Sequence, residues 1–210
     1  MNLRESILES GFAIVLNVFA ADEISRASEL LRETSLRRSR AGIRHALADP
    51  AIATLASDKR LLRIAQEILG AGAIPFRATL FDKSRLSNWL VVWHQDTALP
   101  LRGRRDAPGW GPWSIKSGIH YAHAPANALR RVLAIRVHLD DSSADNGPLR
   151  VLPHTHTSGV LDDRGIHQLA EEIAPVDCLV ASGRLLVMKP ANRPLLFKIA
   201  FGALQKGPAH

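Results

Sequence analysis

Cysteine is nearly absent from this sequence. The single thiol, Cys178, excludes an internal disulfide framework and any zinc site built from cysteines alone; it fits a reducing compartment and is expected in the core. Long apolar runs are missing as well. Nothing approaches the roughly 18 residues that a membrane span requires, and Met1 to Glu9 carries charges where a signal peptide would be apolar. A cytoplasmic location without a membrane partner is the expectation. Internal repeats, low-complexity tracts and linkers are also lacking, so residues 1–210 are expected to form a single domain.

Acidic residues are outnumbered, 20 against 27 Lys and Arg, which leaves a formal charge of +7. A basic surface attracts polyanions. The dense clusters are Arg37, Arg38, Arg40 and Arg44, and then Arg102, Arg104 and Arg105, and neither is interleaved with aromatics. Solvated basic faces are therefore favoured over a nucleic-acid interface, and an anion- or nucleic-acid-binding module is the weaker alternative.

The chain runs from an α-rich front to a β-rich remainder. Asp22 is expected to cap a helix carrying Ile24, Ala27, Leu30 and Leu31 on one face. Asp58 repeats the device before Leu61, Leu62, Ala65, Ile68 and Leu69, with Gly70 ending the helix. From Phe76 the pattern becomes short β-type runs: Phe76 to Phe81, Leu90 to Trp93, Val132 to Leu139, Leu149 to Leu152, Val176 to Val180 and Leu185 to Met188. Asn146-Gly147 marks a turn. This spacing predicts an antiparallel sandwich or barrel with the helices outside it. The stretch Thr97 to Asn127 reads as a long functional loop, a rim or lid over a site.

The chemistry concentrates at Trp93-His94-Gln95-Asp96. On a strand, residues two apart share a side, so His94 and Asp96 could converge on one ion as two members of a two-His, one-carboxylate facial site. Gln95 would point the other way and be structural. Arg136 and His138 alternate with Ile135 and Val137, so they share a face that could line a cavity, and a hydrogen-bonded structural role is favoured for His138. His120 and His123 are open to either a substrate contact or plain solvation.

Three separated blocks resemble the phytanoyl-CoA dioxygenase family. They are F-R-A-T-L-F-D-K-S-R-L-S-N-W-L-V-V-W-H-Q-D-T (76–97), P-G-W-G-P-W-S-I-K-S-G (108–118) and V-L-A-I-R-V-H-L-D-D-S-S-A-D-N-G-P-L-R-V-L-P (132–153). The resemblance covers about residues 11–190. It implies a mainly β fold with peripheral helices, a double-stranded β-helix or jelly roll, and an Fe(II)- and 2-oxoglutarate-dependent dioxygenase that uses O₂ to hydroxylate a small organic substrate. By the same resemblance His94 and Asp96 are iron ligands, and Lys83 meets 2-oxoglutarate or is a solvated strand-end lysine; Arg136 is a further candidate for the co-substrate. His154 and His156 are not expected to bind metal. The family's turn there ends in P-G-S-H, so His154 stands where a glycine with positive φ would be at ease.

The pattern stops after Pro190. The family places a distal iron-binding His and then a co-substrate Arg there, whereas this chain has no His before His210 and no Arg after Arg193. A permissible back-translation of residues 191–210, read one nucleotide later, gives P-I-V-H-S-S-S-K-S-L-S-E-R-S-K-R-V-L-H, which resembles the missing ending. The tail 191–210 is thus expected to be atypical, the product of a frame change relative to an active parent. The rival expectation is a catalytically inactive jelly-roll protein.

Overall fold

The computed structural model describes residues 2–37, 39, 42–81, 93–189 and, for the backbone alone, 196–201. The chain begins with α1 (Leu3–Ser10), held at its start by a reciprocal box in which the Glu5 amide donates to Asn2 Oδ1 at 2.8 Å and the Asn2 amide donates to Glu5 Oε2 at 3.0 Å. Strand β1 (Phe12–Val15) follows, then α2 (Ala21–Glu33), α3 (Pro50–Ala56) and α4 (Lys59–Leu69). Asp58 caps α4 as expected, with its carboxylate accepting from the Arg60 amide. Asp22 does not cap α2. The cap is Ala20, whose amide donates to Glu23 at 2.8 Å, so the helix starts earlier and Asp22 instead pairs with Arg26 in the first turn.

Arg60 ties these pieces together. Its guanidinium donates to Asp58, to Glu23 and to the Val18 carbonyl, and lies 4.2 Å from the centre of the Phe19 ring. The N-termini of α2 and α4 are thereby fixed to the same cation.

Strand β2 (Ile74–Leu80) opens the β region. The segment 97–127, read from the sequence as a long loop, contains three strands, β3 (Ala98–Leu101), β4 (Trp113–Lys116) and β5 (Ile119–His123), in the antiparallel order β3-β5-β4, while 102–112 between β3 and β4 stays outside any strand or helix. The signal that could have revealed it is Ser117-Gly118, two residues with positive φ (53° and 76°) between alternating runs, which is the geometry of a tight hairpin. A short α5 (Ala126–Leu129) leads to β6 (Val132–Val137). Then come β7 (Leu149–Val151), α6 (Asp163–Glu172), β8 (Val176–Cys178), β9 (Leu185–Met188) and β10 (Leu196–Phe201). Of the expected strand Leu90 to Trp93, residues 90–92 lie outside the described ones and Trp93 is in a bend.

The main sheet has the order β1-β9-β6-β10-β2, and β7 pairs with β8 in a third, two-stranded sheet. Period-two alternation divides β6 between two layers. Leu133, Ile135 and Val137 face the helices, with Leu31, Ile52, Leu61 and Leu80 in one buried cluster. On the same strand Arg136 lies opposite Leu186 of β9, and Leu186 packs with Cys178 and Val180 under the β7-β8 layer. One ordering departs from an all-antiparallel expectation. β10 is parallel to both β6 and β2, because β9 and β10 flank β6 while running in opposite directions.

Candidate metal and co-substrate site

The segment His94 to Thr97 belongs to no strand, so simple strand alternation does not orient it. Gln95 does instead. Its Nε2 donates to the Gly159 carbonyl at 2.8 Å and its Oε1 accepts from the Leu161 amide at 2.8 Å. Both ends of one side-chain amide are thus spent on the turn before α6, and Gln95 acts structurally. Trp93, one residue before the motif, lies under the Arg150 guanidinium of β7 at 5.0 Å. Thr97, one residue after it, shares a 2.7 Å hydrogen bond with His123 Nδ1. Anchored on both sides, His94 is exposed and Asp96 half-buried.

A neutral imidazole and a carboxylate suit two positions of an Fe(II) site. Among the described residues no group of three or more His, Cys, Asp or Glu could hold a metal. The two side chains fit iron in type, and among the described residues no third donor joins them. Lys83 lies outside the described residues.

Arg136 and His138 do share a side of the main sheet. The Arg136 Nε has no hydrogen-bond partner and is sealed from solvent, and the guanidinium lies 5.8 Å from the Phe81 ring centre. Burial pulls its pKa down, opposed only by the nearby Cys178 thiol. His138 is buried with Nε2 unpartnered, and desolvation, then the Arg136 charge, hold its pKa down to about 3. Cys178 is buried as expected, and its thiol is pushed up to about 11 by desolvation, which leaves it unreactive.

His154 and His156 serve the end of α1. The last four carbonyls of a helix lack partners within it. Here the Ile7 carbonyl accepts from the Gly11 amide, Leu8 from His156 Nε2 at 3.1 Å, Glu9 from His154 Nδ1 at 2.8 Å and Ser10 from the His154 amide at 3.0 Å. His154 takes the positive φ (66°) that a glycine would favour. His120 and His123 both lie on β5, half-buried and exposed respectively.

The profile of the phytanoyl-CoA dioxygenase (PhyH) family matches residues 7–191. The chain belongs to that family. It is by family a non-haem Fe(II)/2-oxoglutarate dioxygenase, the class to which the three sequence blocks pointed. No curated protein matches the chain by sequence. Among solved structures it is similar to EctD from S. alaskensis with bound Fe, at 17% identity and a TM-score of 0.52 over 91% of this chain and 70% of that one. It is also similar to HygX from Streptomyces hygroscopicus, bound to nickel, 2-oxoglutarate and hygromycin B, at 21% identity and a TM-score of 0.51 over 91% and 82%. These likenesses establish the jelly-roll fold. The family match ends at residue 191, the point where the sequence leaves the family's text.

Proposed function

We propose that this chain carries the frame of an Fe(II)- and 2-oxoglutarate-dependent dioxygenase acting on a small organic substrate, with His94 and Asp96 as the two iron ligands it retains. The observation that carries the reading is the W-H-Q-D segment within the family match, with Gln95 clamped to the main chain of Gly159 and Leu161 so that the residues on either side of it are held in place. Bound Fe(II) would supply oxygen activation coupled to oxidation of 2-oxoglutarate to succinate and carbon dioxide.

The remaining tasks fall to the chain. Arg136 offers a buried cation with an unspent donor, which suits one carboxylate of 2-oxoglutarate, and Lys83 is a second candidate for that role. Desolvation keeps His138 uncharged beside Arg136, so this interior holds one cation rather than two. Apolar Leu186, Val180 and Cys178 exclude water from the same interior.

A second reading has its own support. The family match stops at residue 191 and no third donor accompanies His94 and Asp96 among the described residues, which favours a jelly roll with weak iron binding and little turnover. Anaerobic calorimetric titration with Fe(II) tests the assignment. His94→Ala and Asp96→Ala are expected to abolish the affinity the chain has, whereas His154→Ala is expected to leave it within about twofold, because that imidazole is spent on α1. Unchanged Fe(II) affinity in His94→Ala would refute the ligand assignment.

A further inference from the structure

A cavity of about 310 Å³ opens between β2 and β3, and Arg136 is not among the residues that line it. That size suits a small organic molecule. Its walls are divided. Phe76, Leu47, Pro100 and Ile119 make an apolar lining, and the polar groups exposed to it are Arg77 and His45.

Arg77 is a cation with most of its donors unspent. The hydrogen bond it makes is from Nη1 to the Ala98 carbonyl, at the outer limit of 3.5 Å, and no carboxylate among the described residues pairs with it. Its environment adds positive charge rather than removing it. His45 is held below its ordinary pKa by desolvation and then by Arg77 and Arg44, and Lys116 Nζ stands 5.2 Å from the Tyr121 ring centre. Tyr121 is buried and shares a 3.3 Å hydrogen bond with His45 Nε2, fixing the ring that faces the cavity. His45 takes a left-handed backbone (φ 56°), which a non-glycine residue adopts at a cost. A half-buried guanidinium without an anion, beside an uncharged imidazole and over an apolar floor, is electrostatically complementary to a carboxylate carrying an apolar body.

We propose that this cavity binds an organic carboxylate head-first, with the carboxylate on Arg77 and His45 and the apolar part against Phe76, Leu47 and Ile119. The site belongs to the substrate rather than to 2-oxoglutarate. Arg77 donates to the carbonyl of Ala98, two residues after Asp96 in the chain, and this link to the motif assigned to iron is the ground for naming the ligand as substrate. Naming the ligand as the substrate rests on the dioxygenase reading, whereas carboxylate binding by the cavity does not.

Calorimetric titration of the full chain with hexanoate, hexan-1-ol and 2-oxoglutarate tests it. Hexanoate is expected to bind and the neutral alcohol to bind at least tenfold more weakly. Arg77→Met is expected to weaken hexanoate about tenfold or more, with Arg77→Lys recovering part of the loss, and His154→Ala, whose imidazole is spent on α1, is expected to leave hexanoate binding unchanged. Ile119→Trp, which fills the cavity without touching the charged groups, is expected to block hexanoate even where Arg77→Met fails to fold. The proposal is overturned if hexanoate does not bind, if it binds Arg77→Met or Ile119→Trp as it binds the parent, or if Arg77→Met weakens 2-oxoglutarate instead. A failed iron assignment shows in the Fe(II) titration of His94→Ala and leaves the hexanoate arm unmoved.

Discussion

Gly11 shows how much one residue can carry. It ends α1 with φ 86°, and a Cβ built there would meet His156 Nδ1 at 2.6 Å. Gly11→Ala thus combines a left-handed backbone penalty with a collision against the ring that caps Leu8. We expect a loss of about 2–4 kcal/mol in denaturant unfolding. His156→Ala in that background should recover the steric part and leave the backbone part; a Gly11→Ala protein as stable as the parent would refute this geometry. The buried histidines act through protons. His138 falls to about 3 from an ordinary 6.5, and His156 and His45 are lowered in the same direction, first by desolvation. A depressed folded pKa means that the unfolded chain binds protons first, so the stability these groups contribute is complete above about pH 6.5 and is lost as pH falls. Carboxylates such as Glu23, held down to about 2 by Arg60, join only below about 4.5. Between pH 6.5 and 4.5 stability is expected to fall by up to about 1.4 kcal/mol per pH unit for each histidine involved. His138→Leu should flatten that slope, and an unaltered slope would remove His138 from the account.

At the scale of elements, the strands legible in the sequence were those written as short apolar or β-branched runs between turn signals. β2, β6, β7, β8 and β9 fall within a few residues of their expected places. The cap of α4 was equally legible, because Asp58 stands directly before an uninterrupted apolar face. Other elements hid for physical reasons. β4 exposes three of its four residues, so it carries little hydrophobic signal, and only the Ser117-Gly118 turn announces the hairpin. β1 is four residues long and half-exposed, and it is defined by its pairing with β9 rather than by its own pattern. The shift of the α2 start from Asp22 to Ala20 reflects a Glu23 carboxylate that prefers the Ala20 amide and Arg60 together. The site was legible in part. His94 and Asp96 stood out by their motif, whereas Arg77, His45 and Tyr121 lie far apart in sequence and meet only because β2 and β5 approach one another.

At the scale of the whole molecule, the question is whether the frame of a dioxygenase still works with this ending. Residues 7–191 carry the family's pattern, and β10, beyond them, enters the main sheet parallel to both neighbours. Parallel pairing is slightly the weaker kind. The W-H-Q-D motif precedes β3, while the sequence after Pro190 has no His before His210 and no Arg after Arg193, where the resemblance calls for a distal ligand and then a co-substrate Arg. On the proposed reading, two protein ligands would hold Fe(II) less firmly than three, and the lack of that arginine would weaken 2-oxoglutarate separately. The most direct measurement compares the 210-residue chain with a version carrying the shifted-frame ending after Pro190. Fe(II) and 2-oxoglutarate binding are titrated anaerobically in both, and succinate formation is followed after oxygen is admitted. The account predicts at least tenfold tighter binding of both ligands, and succinate formation, only in the version with the restored ending. Equal affinities and equal turnover in the two would contradict it.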